Sequence, residues 1–382
     1  MLVRHLTVGG LRSFGPEPLQ VDLARLTLVF GPNSAGKSSL LSVLPMLQQT
    51  AARPEILTMS GDLVEGGTFR MAIHQHDETL PMTLGFGWTA PDGTTHSGSG
   101  EFRWDPEQKV AVRTRMTMHD GTVAGVVDGP RPWGGQPGAA MARELGPEFF
   151  EVLSRIYFLG PMRARPERTT LAGQGLLDYV GPAGERMAAL LSDRPDTLAD
   201  VNDWCDRMGL GYHVRMLAPV STEIIKSAGD FSVLALEDVR FNPPVLVSPR
   251  AVGYGVGQLL PVITQCLLGT GGMVIVEQPE VHLHPRLQSA VADLFIDTVN
   301  QSRAQLLIET HSEHLVLRAL RRVREGTLAA EDLAILYVDL HEDGAGFMRR
   351  LEVDQRGNLV DGWPGTFFDE RLAEVLPGLA ER

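Results

Sequence analysis

Lysine is almost missing from this chain: of 34 basic residues only Lys37, Lys109 and Lys226 are lysines. Acidic residues outnumber basic ones by 47 to 34. The net charge of −13 excludes a broadly basic nucleic-acid or membrane surface and leaves only a local basic patch open. Cysteine is equally scarce. Cys205 and Cys266 stand far apart, offering neither a disulfide framework nor metal-site spacing, which suits a reducing cytosol. No apolar run is long enough to span a membrane, since the longest, Leu259–Val276, is broken by Pro261, Gln265 and a Gly-Thr-Gly-Gly turn. Met1 leads straight into an alternating pattern without a signal-type apolar core. A soluble cytoplasmic protein with no membrane partner is the expectation, and 382 residues give room for roughly two or three domains.

The scarcity of lysine gives weight to the one at position 37. Gly31-Pro-Asn-Ser-Ala-Gly-Lys-Ser38 follows the apolar run Leu26–Phe30 and fits G-x-x-x-x-G-K-[ST]. Glycines let the backbone turn several N–H groups into one concavity, and the next helix adds its positive N-terminal end. The Lys37 amine would reach β- and γ-phosphates, and the Ser38 hydroxyl would bind magnesium. Asn33, Ser34, Ala35, Gly36, Lys37, Ser38 and Ser39 are therefore the candidate nucleotide-binding residues. The plainer alternative is a glycine-rich turn before a helix.

Alternation predicts strands at Val3–Val8, Leu19–Leu23 and Leu26–Phe30, then a helix over Lys37–Gln49. Short alternating segments follow: Phe69–Ile73, Met82–Phe86, Glu101–Trp104, Val110–Met116 and Thr122–Val127, with hairpin turns at Asp92-Gly93 and Asp120-Gly121. A Gly/Pro-rich link, Gly129–Gly138, leads to a mixed segment with helices near 139–156, 182–192 and 197–208, then strands Ser232–Leu236 and Val245–Val247. The last core alternates helix Leu259–Leu268, strand Met273–Val276, helix Arg286–Val299, strand Gln305–Glu309 and helix Ser312–Arg324. Such alternation implies a parallel sheet covered by helices. Thr310-x-x-Glu313 resembles a capping box for the last helix. Strands Leu333–Asp339 and Phe347–Val353 and an aromatic cap over Leu359–Phe368 close the chain.

Two buried runs end in polar residues: Val276 leads into Glu277-Gln-Pro-Glu280, and Ile308 into Glu309-Thr-His311. In a parallel sheet these ends and Phe30 would open on one edge, where ligands of such sheets bind. Glu277 would then hold magnesium through water. The alternatives are a solvated strand end for Glu277 and a helix-start histidine for His311.

These stretches resemble the Walker A (Phe30–Ser39), Walker B with D-loop (Glu277–Pro285) and H-loop (Glu309–Ser312) of ABC-class ATPases. Within that class they are similar to the OLD-like branch of bacterial AAA ATPases, relatives of SMC and recombination-repair ATPases. Phe158–Arg163 with Arg168, Val252–Pro261 and Gly362–Asp369 extend the resemblance over nearly the whole chain. It implies an α/β P-loop NTPase of ABC-ATPase type, a mixed sheet with flanking helices and an inserted β-rich and helical lobe. The ATPase domain would be split into 1–52 and 246–330, with the insert at 53–245 and closing strands and cap at 331–382. It also implies ATP and Mg2+ as cofactors, Ser38 and Glu277 as metal ligands and His311 as γ-phosphate sensor. Gly253–Gln258, with Gly255, Gly257 and Gln258, resembles the signature that caps the nucleotide of an opposed subunit, giving a head-to-tail homodimer. Gln49 is a candidate Q-loop glutamine or simply a solvated helix end.

The chain departs from the family where chemistry is done. Gln278 stands where the catalytic glutamate is usual, and an amide orients water without accepting its proton. Glu280 is the substitute if it turns inward, and Gly257 replaces a common signature serine. Slow hydrolysis is the expectation, with Gln278, Glu280 and His311 as the catalytic candidates. About seventy residues follow His311, too few for a TOPRIM nuclease, so no nuclease is expected in this chain. That favours an ATP-gated dimeric switch working with a separately encoded effector, a nuclease or toxin, in phage defence or DNA-associated stress. A non-hydrolysing ATP-sensing scaffold and an SMC-like DNA-binding repair ATPase are the other readings. Arg163, Arg165 and Arg168 form one arginine cluster and Arg318, Arg321, Arg322 and Arg324 another, read as solvated faces or as DNA or partner contacts. His282-x-His284 is a weak metal pair.

Overall fold

The computed structural model describes residues 1–119, 124–128, 148–166, 169–171, 177–217 and 231–364. The Gly129–Gly138 link, the Asp120-Gly121 turn, Arg168 and most of the aromatic cap lie outside them. The chain forms two compact units, Met1–Ile156 with Ala319–Arg382, and Tyr157–Arg318. No helix among the described residues is long and apolar enough to cross a membrane.

The first unit contains a six-stranded antiparallel sheet. Its strands are β1 (Leu2–Gly9), β2 (Leu19–Asp22), β4 (Met82–Thr89), β5 (Thr95–Asp105), β6 (Val110–His119) and β7 (Ala124–Asp128), in the order β2-β1-β4-β5-β6-β7. The β4–β5 hairpin turns where expected, because the Asp92 carboxylate accepts from the Thr94 backbone N–H at 2.9 Å and from its hydroxyl at 2.6 Å. Phe86, Trp88 and Phe149 pack their rings against one another beside this sheet. Phe69–Ile73 is not a strand. It forms helix α3 (Phe69–Ala72), with Thr68 Oγ1 accepting from the Met71 N–H. Phe69, Ala72 and Ile73 are buried while Met71 is exposed, which is the i, i+3, i+4 period of a helix face.

Also in this unit lies the all-apolar buried strand β3 (Leu26–Phe30), paired parallel with β15 (Leu333–Leu340) from Leu26↔Leu333 to Phe30↔Tyr337. Antiparallel β16 (Gly346–Leu351) flanks β15. Two helical segments follow β3, α1 (Lys37–Leu41) and α2 (Val43–Thr50), rather than one. Pro45 has no N–H to give Leu41 and its ring crowds that carbonyl, so the helix is interrupted one turn earlier.

The second unit is built on parallel strands β13 (Met273–Glu277) and β14 (Gln305–Glu309), in register from Met273↔Gln305 to Glu277↔Glu309. Their crossover is helix α7 (Pro285–Asn300), and β8 (Ile156–Leu159) lies on the other side of β13. A separate antiparallel sheet centres on β11 (Phe231–Asp238). Strand β10 (Tyr212–Leu217) pairs along one edge, and β9 (Thr169–Leu171) and β12 (Val245–Val247) share the other. Helices α4 (Met187–Asp193), α5 (Pro195–Met208) and α6 (Tyr254–Leu267) complete the unit. Helix α6 begins five residues before the expected Leu259 and carries Pro261 inside it. Tyr254–Gln258 is thus its first turn, with Gly253 as the N-cap. Helix α8 (Glu313–Arg324) contains the boundary between the units. Its cap is Ser312, not Thr310: the Ser312 Oγ accepts from the Leu315 N–H at 3.2 Å, while Thr310 Oγ1 accepts from the Ser312 N–H.

Candidate functional site

In the first unit, the buried end of β3 drives the chain straight into the Gly31–Ser38 loop. The loop turns through left-handed residues, Ser34 at φ 63° and Gly36 at φ 116°. At Gly36 a Cβ would stand 2.3 Å from Ser13 Oγ, so the position demands glycine for both conformation and space. Ser13 completes the wall, its hydroxyl donating to the Ala35 carbonyl at 3.0 Å. Ala35, Lys37 and Ser39 are buried, Lys37 at only 4 % exposure, while Asn33 and Ser34 are exposed and Ser38 half-buried. The Lys37 amine reaches back over the loop to donate to the Pro32 carbonyl at 2.7 Å. A buried ammonium folded back over a loop turned through Ser34 and Gly36 fits a triphosphate group, which would offer stronger acceptors than one carbonyl. Gln49 is neither solvated nor aimed at such a ligand. Its amide donates to the Thr58 carbonyl at 2.8 Å and fastens the 58–64 loop.

In the second unit, the in-register ends of β13 and β14 bring four acidic or amide groups together. Gln278 follows β13 in a left-handed conformation, φ 44°. Its backbone N–H donates to the Glu309 carbonyl at 2.9 Å and its amide to the Glu309 carboxylate at 3.3 Å. Glu280 does turn inward. It is 8 % exposed, and one carboxylate oxygen accepts from the His311 backbone N–H at 2.5 Å while the other has no hydrogen-bond partner. Burial raises the Glu280 pKa above the ordinary carboxylate value, and the Glu309 charge adds to this against the His311 bond. Glu277 is buried and the His311 ring is exposed. The arrangement offers a buried carboxylate able to take a proton, a neighbouring amide able to orient water, and Glu277 as a further carboxylate suited to magnesium.

Sequence reasoning missed two members of this cluster. Glu309 was only a strand end, yet it holds the Gln278 amide; the matching ends of two buried runs were its signal. Arg163 was grouped with solvated arginines, but it is 2 % exposed and its guanidinium donates to the Glu277 carbonyl at 2.6 Å. Burial lowers its pKa to about 10 against the raising effect of Glu280 and Glu277. Its hints in sequence are its position four residues past the buried β8 run and its place at the end of the Phe158–Arg163 segment that shares the family resemblance. Gln258, expected to face a nucleotide, is 1 % exposed and occupied at both ends: it accepts from the Arg163 N–H at 3.0 Å and donates to the Arg163 carbonyl at 2.6 Å. Gly257 is buried, while Gly255 is half-buried with the His282 carbonyl 2.6 Å from where its Cβ would be.

The two histidines have separate neighbours. His284 caps α7 by accepting from the Arg286 N–H, and His282 packs edge-on against Tyr254 with centroids 4.8 Å apart. Among the described residues no cluster of three or more His, Cys, Asp or Glu is poised to hold a metal. Magnesium at a nucleotide needs no such cage, since phosphate oxygens and water supply most of its shell. Three α8 arginines are ion-paired, Arg318 with Asp293 at 2.7 Å and Arg321 and Arg322 both with Glu325 at 2.6 Å, while Arg324 donates to the Arg356 carbonyl at 3.2 Å. Cys205 and Cys266 are buried, their thiols pushed up to about 12, so neither is a nucleophile.

The chain resembles solved head domains of SMC proteins. One, an Smc head bound to the C-winged helix domain of ScpA, matches at TM-score 0.56 and 14 % identity over 93 % of this chain and 99 % of that one. Another, the Smc head with an extended coiled coil bound to the C-terminal domain of ScpA derived from Pyrococcus furiosus, matches at TM-score 0.56 and 10 % identity over 100 % of both chains. The chain therefore has the SMC-head type of P-loop ATPase fold, with mixed α/β sheets and flanking helices. Residues 226–318 match the family model described as "AAA domain, putative AbiEii toxin, Type IV TA system". That stretch covers α6, the Glu277–Glu280 turn and His311, and leaves the Gly31–Ser38 loop outside. No curated protein sequence matches the chain.

Proposed function

We propose that this chain is an ATP-binding, slowly hydrolysing ATPase of the ABC class that acts as an ATP-gated dimeric switch. The Gly31–Ser38 cradle carries the proposal, with its left-handed Gly36 and its buried Lys37 folded over the loop. Asn33, Ser34, Ala35, Gly36, Lys37, Ser38 and Ser39 would hold the triphosphate, and Ser38 with Glu277 the Mg2+. The ion would neutralise phosphate charge as the bond to the γ-phosphate breaks. Glu280 acts as the general base and Gln278 orients the water, with His311 at the γ-phosphate. Slowness follows from Gln278, whose amide is held on Glu309 and cannot accept a proton.

The half-exposed turn Gly253–Val256 would face a second copy of the chain, making a head-to-tail homodimer with two nucleotides between protomers. Gln258 drops out of that contact because both ends of its amide are already used. The toxin–antitoxin wording of the matched family supports a role in OLD-like bacterial defence with a separately encoded nuclease or toxin in the cytoplasm. The net charge of −13 favours that role over direct DNA binding. The held Gln278 amide also favours a second reading, a non-hydrolysing ATP-sensing scaffold. Native mass measurements with and without ATP-Mg, on wild type and Lys37→Ala, test the switch, which requires an ATP-dependent change in mass that Lys37→Ala abolishes. Turnover of Gln278→Glu separates the readings: the switch expects a rise of about tenfold, the amount general-base assistance readily supplies, and the scaffold expects no hydrolysis in the wild type.

A further inference from the structure

Within the second unit, one buried side chain connects two segments that do different work. Helix α6 begins with half-exposed Tyr254–Val256 and turns Gly257 and Gln258 inward, and the β13–α7 turn holds Glu277 and Glu280. Arg163 lies between them on the segment after β8. Its backbone is clamped on both sides by the Gln258 amide, at 3.0 and 2.6 Å, and its guanidinium is bonded to the Glu277 carbonyl at 2.6 Å. Two further contacts hold the same segments together. Arg165 covers the Tyr254 ring at 5.3 Å, and Tyr254 packs against His282 at 4.8 Å.

Nothing in this arrangement is economical as a stabilising device. Arg163 is 2 % exposed, and its Nε and Nη1 have no hydrogen-bond partner. A buried guanidinium with unsatisfied donors costs free energy, and replacing a whole buried charge cluster by apolar residues is commonly neutral or stabilising, whereas removing Arg163 alone strands the Glu277 and Glu280 charges beside it. A charge held at such a cost beside Glu277 and Glu280 is explained by the position it enforces on them.

We infer that Arg163 is a positioning residue that transmits movement of the α6 first turn, when a partner surface engages it, to the Glu277–Glu280 turn. The inference rests on the ATPase reading above and adds to it the link between partner engagement and hydrolysis. Rotation of Gln258 carries the Arg163 backbone with it, because two hydrogen bonds fix the amide to that peptide. The guanidinium then pulls on the Glu277 carbonyl and changes where Glu277 and Glu280 stand. Small shifts of this kind matter, since misplacing a reacting group by about 1 Å costs on the order of a hundredfold in rate.

The test uses full-length Arg163→Met, Gln258→Leu and the double variant, measuring ATP Kd, kcat and Tm. Arg163→Met should keep Kd within about threefold while kcat falls at least about tenfold, and its Tm should fall because Glu277 and Glu280 lose a compensating charge. Gln258→Leu should also lower kcat, and the double variant should be no slower than the worse single one, as for residues in one chain of contacts. Wild-type kcat in Arg163→Met would overturn the inference. So would a kcat loss matched by an equal loss of ATP affinity, which marks a structural role, or kcat losses that multiply in the double variant. Wild-type protein that binds ATP without hydrolysing it would instead sink the reading underneath, and the inference with it.

Discussion

The two candidate sites in this chain are built on opposite principles. The Gly31–Ser38 cradle is made of one contiguous stretch, held by backbone geometry and by local bonds such as Lys37 to Pro32. The Glu277 cluster joins residues 114 apart in sequence, as in the Arg163–Glu277 bond, and 31 apart, as in the Glu280–His311 bond. The first leaves its ammonium satisfied and waiting for better acceptors. The second leaves Glu280 and Arg163 with unsatisfied polar atoms inside the protein. A binding loop can be complete on its own, whereas a catalytic cluster stores the cost of burying charge and depends on the surrounding fold to keep it there.

Breaking the cradle should have the largest effect. Gly36→Val places a branched side chain where φ is 116° and Ser13 Oγ stands 2.3 Å from the first carbon. ATP affinity measured by calorimetry should fall by about a hundredfold or more, with a Tm loss of a few degrees from a strain of about 1–3 kcal/mol. Unchanged affinity would show that the loop does not hold phosphate.

Altering the cluster should separate binding from turnover. Glu280→Gln should lower kcat by about a hundredfold or more with Kd unchanged, the range for losing a general base. At neutral pH its Tm should hold or rise, because a buried charge is removed. The wild-type pH profile adds the sign. A raised pKa means that the Glu280 base is lost as pH falls through a window above the ordinary carboxylate range. Turnover should therefore drop there, while this group's contribution to stability rises, since protonation removes the buried charge. A profile flat down to the ordinary carboxylate range would move the base elsewhere.

The smallest effect is expected outside both sites. Arg321→Ala and Arg322→Ala should leave DNA retention in gel-shift assays within about twofold, since both side chains already share Glu325 on a chain of net charge −13. A salt-dependent loss of DNA affinity in these variants would restore the DNA-binding reading.

Strands with their own signal were read correctly: Val245–Val247 and Gln305–Glu309 match the structure residue for residue. Phe69–Ile73 failed because five residues fit two periods, and Thr68 as cap decided for the helix. Helix α6 was started late because its apolar run begins at Leu259, whereas the helix takes in the glycine-rich Tyr254–Gln258 turn ahead of it and carries Pro261 inside. The mutual bonds of Gln258 and Arg163 were not legible in sequence for one shared reason: each looks polar and available there, and each is engaged by the other in the fold.

The sequence alone determined the shape of the Gly31–Ser38 loop, because its glycines and lysine act through conformations set within eight residues. It also determined the two buried strands whose ends carry Glu277 and Glu309. Only the tertiary structure decided that Glu280 points inward, that Gln278 rests on Glu309, and that Arg163 is buried behind Glu277. Those outcomes depend on the parallel register of β13 with β14 and on the packing of the post-β8 segment against α6. A charged side chain's environment is a property of its neighbours in space, and burial, not residue type, sets what its charge costs and what it can do.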